Sequence, residues 1–148
     1  EPNTPVKFAL GIAQAGLGFG ALVIGAATPN EAGMVAGYWM VLAYLLHTTG
    51  ELCLSPVGLS AVTKLSVPSV VGVMMGAWFL ATAYSEFVAV QLAKLAAVET
   101  VNGTVTDIGA ALASYTALFT NLLYVGLAMA ALLLLLSPLL KKMMHGIH

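Results

Sequence analysis

Four long apolar runs, separated by short polar connectors, organise this sequence. They cover about Phe8 to Ala27, Ala36 to Val62, Val70 to Leu95 and Ala110 to Leu140. A helix that crosses a bilayer needs about 20 mostly apolar residues, and each run supplies them. In lipid the backbone N–H and C=O groups find no water, so each run must be helical. The connectors read as turns. Thr28-Pro29-Asn30-Glu31 precedes the second helix, and Lys64 to Ser69 separates the second from the third, with Pro68 suited to a helix start. Residues 98–107 alternate around Asn102-Gly103, the pattern of a hairpin loop. Asn102-Gly103-Thr104 also has the form of a glycosylation sequon, for which a plain turn is the simpler reading.

Composition sharpens the class. Hydrophobic residues make up 60% of the chain and charged residues 7%, against about 25% charged in a soluble domain. No soluble core could hide that much apolar surface, so the expected fold is an all-α integral membrane protein with four transmembrane helices in a lipid bilayer. A net charge of −1 gives no sign of a nucleic-acid partner. A single cysteine, Cys53, permits no internal disulfide and reads as a small core residue. The chain opens Glu1-Pro2-Asn3-Thr4-Pro5, without an initiator Met or a signal-peptide pattern, which fits a processed chain or a piece of a longer one.

Lysines set the expected orientation, because cytoplasmic loops are enriched in them. Lys7, Lys64, Lys141 and Lys142 fall on one side after four crossings, and Glu31, Glu99 and Asp107 fall on the other. Both termini are then cytoplasmic. Lys94 is the exception, at the outer end of the third helix, where its stem can snorkel. Gly16/Gly20, Gly33/Gly37 and Gly72/Gly76 are GxxxG pairs suited to close helix packing.

The polar residues inside the apolar runs carry the candidate chemistry. Glu51 lies 12 residues before Thr63, about 18 Å of helix, in a hydrocarbon core about 30 Å thick. A carboxylate near the middle must face the protein interior or a water-filled cavity, where it can meet a cation, an amine or a proton. His47, Glu51 and Ser55 recur every four residues and predict a polar stripe on one helix face. Pro56 removes a backbone N–H, and Gly50 and Gly58 flank it, so the second helix is expected to bend or break just below Glu51. On the third helix Trp78, Thr82 and Glu86 share the same spacing, next to Phe79 and Ser85. Asn121 on the fourth is suited to an interhelical hydrogen bond. His47 with Glu51 makes only two ligands and HExxH is absent, so no metal or other cofactor is expected.

A group of strings in the second and third helices resembles one family. Tyr38-Trp39 is followed by Thr49-Gly50-Glu51-Leu52-Cys53-Leu54-Ser55-Pro56-Val57-Gly58-Leu59-Ser60. Thr63-Lys64-Leu65 and then Met74-Met75-Gly76-Ala77-Trp78-Phe79-Leu80-Ala81 complete the pattern. These resemble the proton-dependent oligopeptide transporters of the major facilitator superfamily. The resemblance covers most of the chain and implies helices nine to twelve of a twelve-helix bundle, in a bacterial cytoplasmic (inner) membrane. It implies that Glu51 helps hold the amino terminus of a di- or tripeptide, that Trp78 and Phe79 line the cavity and its cytoplasmic gate, and that Thr82 and Ser55 lie near the substrate. It implies a hinge at Gly50, Pro56 and Gly58. Where the family commonly has Gly-Asn this chain has Ser85-Glu86, which leaves Glu86, like His47, as a proton or substrate contact. The family's first-helix E-x-x-E-R motif, fourth-helix lysine and seventh-helix carboxylate belong to segments not in this chain.

The leading expectation is therefore the C-terminal portion of a proton-coupled peptide symporter, with short peptides, protons and the missing N-terminal transporter helices as partners, and no enzymatic activity. Two other readings compete: a stand-alone four-helix multidrug exporter that dimerises around one glutamate per chain, and a non-transporting membrane remnant. A membrane enzyme built on His47 and Glu51 lacks a nucleophile or metal triad.

Overall fold

The computed structural model describes residues 2–95, 100–101 and 104–144. Its elements in order are α1 (Thr4–Ala26), α2 (Gly37–Leu65), α3 (Val71–Leu95), β1 (Thr100–Val101), β2 (Thr104–Val105) and α4 (Ile108–Met143). The two short strands pair antiparallel, with Thr100 opposite Val105 and Val101 opposite Thr104. This falls within the expected hairpin loop, whose Val98, Glu99, Asn102 and Gly103 lie outside the described residues.

Side-chain caps lengthen two helices beyond their apolar runs. Asn3 Oδ1 accepts from Val6 N at 3.0 Å, with Pro5 in the first turn. Asp107 Oδ1 accepts from Ala110 N at 2.9 Å. Both satisfy backbone donors that have no partner within the helix. Asn3 Oδ1 also accepts from the buried Ser137 hydroxyl at 3.2 Å, tying the start of α1 to the end of α4. Replacing Asn3 with alanine should cost about 1 kcal/mol of stability. A thermal midpoint of the detergent-solubilised transporter that does not fall would remove this role.

Three helices, Thr4–Ala26, Val71–Lys94 and Ile108–Met143, are long and apolar enough to cross a membrane. α2 has the length, at 29 residues, but its histidine, glutamate, lysine and hydroxyls make it less apolar than the other three. α1 packs along both α2 and α4, while α3 meets α2 over a short stretch only. A cavity of about 190 Å³ brings Thr4, Lys7, Ser60, Lys64 and Met144 together. The start of α1 and the ends of α2 and α4 therefore share one end of the bundle, where α4 also carries Lys141 and Lys142.

Close approach is built on glycine. A Cβ on Gly126 would stand 3.0 Å from Gly16 Cα, and one on Gly20 would meet Leu123 at 3.5 Å, so the Gly16/Gly20 pair faces α4. The other two expected pairs do not pack helices within this chain. Gly33 lies in the connector at φ +73, a conformation open to glycine, where Asn30 Oδ1 accepts from Ala32 N and Met34 N. Gly37, Gly72 and Gly76 have nothing within 4 Å of a Cβ position. Pro68 sits in the turn before α3 and does not open it.

Candidate functional site

Glu51 is 14 residues from each end of α2 and is exposed on the chain's surface. At 1.5 Å per residue that is about 21 Å of helix on either side. Its carboxylate has no hydrogen bond or ion pair among the described residues. The expected stripe does not stay on one surface. Four residues advance the helix by 400°, so each step drifts about 40°, and His47 turns toward α1 while Glu51 and Ser55 are exposed. The His47 ring packs on Phe19 with centroids 4.5 Å apart, and its Nε2 is buried without a hydrogen bond among the described residues. A side chain at Gly18 would overlap that ring.

The α1–α2 seam runs beside Glu51. A Cβ on Gly50 would stand 2.9 Å from the Gly11 carbonyl oxygen, and one on Gly11 would stand 2.7 Å from Leu54 Cγ. The Gln14 side-chain amide donates to the Thr49 hydroxyl, which donates in turn to the Leu45 carbonyl at 2.6 Å. Gln14 was not singled out from sequence, although a lone amide inside the apolar α1 was a visible signal. Two other expectations find no contact within this chain. Cys53 is exposed within this chain, on a flank of α2 turned away from α1. Asn121 is exposed and makes no hydrogen bond among the described residues.

α2 is not broken at Pro56: the helix runs unbroken from Gly37 to Leu65 with Pro56 inside it. Proline removes one intrahelical hydrogen bond, that to the Leu52 carbonyl, and the flanking turns hold the helix together. Below Pro56, the edge of the Trp78 ring lies where a Cβ on Gly58 would be, with Phe8 of α1 3.0 Å from that position. Trp78 and Phe8 line a cavity of about 400 Å³ with Gly58, Ala61, Leu65 and Met74. Trp78 is half-buried, while Phe79 is exposed. The Thr82 hydroxyl donates to the Trp78 carbonyl at 3.1 Å, and the Ser85 hydroxyl donates to the Thr82 carbonyl at 2.7 Å. Glu86 is exposed, and Lys94 Nζ donates to Gln91 Oε1 at 3.5 Å. The structure thus brings Gly58 and Trp78 together, holds Gly50 in the α1 seam, and leaves Glu51, Ser55, Phe79, Thr82 and Glu86 on open faces.

Three helices long and apolar enough to cross a membrane define an integral membrane protein. The model of the POT family matches residues 1–116, and the chain belongs to that family. It is 38% identical over 147 residues to "Uncharacterized transporter YclF" of Bacillus subtilis (strain 168), covering 99% of this chain and 27% of the relative. It is 39% identical over 142 residues to "Dipeptide and tripeptide permease A" of Edwardsiella piscicida, covering 96% of this chain and 29% of the relative. The permease of the same name from Yersinia pestis is 37% identical over 139 residues, covering 94% of this chain and 27% of the relative. The chain thus spans less than a third of the length of these relatives.

Proposed function

We propose that this chain is the C-terminal portion of a proton-coupled symporter for di- and tripeptides in a bacterial inner membrane, with both termini cytoplasmic. The observation that carries this is Glu51: a carboxylate at the middle of α2 with no partner among the described residues, in a member of the POT family. Such a group is costly in lipid and is retained where it meets a charge in a water-filled cavity. The amino terminus of a peptide supplies that charge. Relatives whose names specify dipeptides and tripeptides support the substrate class.

In this reading α2 and α3 supply one wall of the cavity, and helices N-terminal to this chain supply the rest. Trp78 and Phe79 form part of the cytoplasmic gate, with Gly58 as the surface on which Trp78 seats. Thr82 and Ser55 line the approach to Glu51, while His47, packed on Phe19 of α1, stands behind that face of α2. Pro56, with one hydrogen bond missing, is the point where the lower half of α2 pivots against the Gly50 seam. The lysine-rich end of the bundle is the cytoplasmic end, as the enrichment of cytoplasmic loops in lysine supports.

The test is uptake of a labelled dipeptide by the whole transporter in liposomes. An inward proton gradient should drive accumulation, and a proton ionophore should abolish it. Uptake indifferent to the gradient, or none at all, would overturn the reading.

A further inference from the structure

Resting on the peptide-transporter reading, we infer that Glu86 is a specificity-determining residue that favours peptides carrying a second positive charge, such as a lysine or arginine side chain. The contact between Trp78 and Gly58 fixes the register of α3 against α2. Each lies seven residues from the connector, Trp78 from the start of α3 at Val71 and Gly58 from the end of α2 at Leu65. Glu51 is seven residues beyond Gly58 on α2, and Glu86 is eight beyond Trp78 on α3. Measured along the helices from that contact, the two carboxylates are level to within roughly 2 Å.

The turn of each helix gives their faces. Seven residues make nearly two turns, so Glu51 returns to the side of α2 that carries Gly58 and receives Trp78. Eight residues overshoot two turns by about 80°, so Glu86 lies on the flank of α3 that Thr82 begins. Above the Trp78 contact residues 79–87 of α3 are exposed, as is Glu51 on α2, so each helix carries one carboxylate on an open face.

Nothing in the described part of the chain neutralises Glu86. The Thr82 and Ser85 hydroxyls are bonded to backbone carbonyls, and Lys94, the cation on the same helix, donates to Gln91. A charge inside a membrane helix is tolerated where it faces water or an opposite charge. With Glu51 holding the amino terminus, a second cationic group on the same peptide meets Glu86 at the same level.

The experiment compares uptake of alanyl-lysine and alanyl-alanine by the whole transporter. Glu86→Gln should lower the lysyl-to-alanyl ratio about tenfold, the scale of one lost charge contact in a partly solvated site. Glu86→Asp should restore most of the ratio, and Glu86→Lys should shift preference toward alanyl-glutamate. A ratio within about twofold of the unaltered protein in Glu86→Gln overturns this inference alone. Parallel loss of every substrate in all three variants marks Glu86 as structural and overturns it too. Failure of the unaltered protein to take up any peptide overturns the transporter reading and this inference with it.

Discussion

Replacing Glu51 with glutamine should lower proton-driven dipeptide uptake by the whole transporter at least about tenfold and weaken dipeptide binding by a similar factor, a change of about 1.4 kcal/mol. Glutamine keeps the size and one acceptor oxygen but loses both the charge and the site for a proton. In the proposed cavity the surroundings screen poorly, and opposite charges in contact attract several times more strongly than in bulk water. Among the described residues nothing competes for the carboxylate. Glu51→Asp should fall between the two, because the charge stays and retreats by one methylene. Uptake and affinity of Glu51→Gln at the level of the unaltered protein would end the assignment of this residue.

The second large effect is structural. Gly50→Leu should prevent α1 and α2 from packing, and most of the protein should be lost as misfolded material on extraction. Gly50→Ala should cost about 1–3 kcal/mol, the usual scale of overpacking. The neighbour of its Cβ is the Gly11 backbone oxygen at 2.9 Å, which no rotamer change can move. The contact is reciprocal, since a Cβ on Gly11 meets the Gly50 carbonyl oxygen at 3.0 Å. Relief therefore requires the helices to separate, and with them the bond between Gln14 and Thr49. Monodispersity and thermal midpoint of the detergent-solubilised transporter check this. A Gly50→Ala midpoint equal to that of the unaltered protein would show that the seam has slack.

These two positions are adjacent in sequence and differ in how they can be read. Glu51 stands out in sequence because a carboxylate inside an apolar run is conspicuous, and the fixed rise of a helix converts its position into depth. Gly50 is one of 15 glycines, and glycine is frequent in membrane helices. Only the partner helix distinguishes it from Gly76, which has open space within this chain.

The sequence by itself determined the helical class, the four apolar runs and the place of Glu51 near the middle of its helix. Each of these follows from local quantities: run length, side-chain apolarity and rise per residue. The caps at Asn3 and Asp107 came from the structure, because an apolar count starts later than a helix does. Tertiary structure alone decided which face met which neighbour. It turned His47 toward Phe19, left Cys53 and Asn121 exposed, kept α2 unbroken through Pro56, seated Trp78 on Gly58 and set Gly16 against Gly126. In water, an amphipathic pattern announces the buried face of a helix. In lipid the outward face is as apolar as the inward one, and packing is selected by shape and close approach. Those are properties of two helices together, and the side chains of either one alone do not encode them.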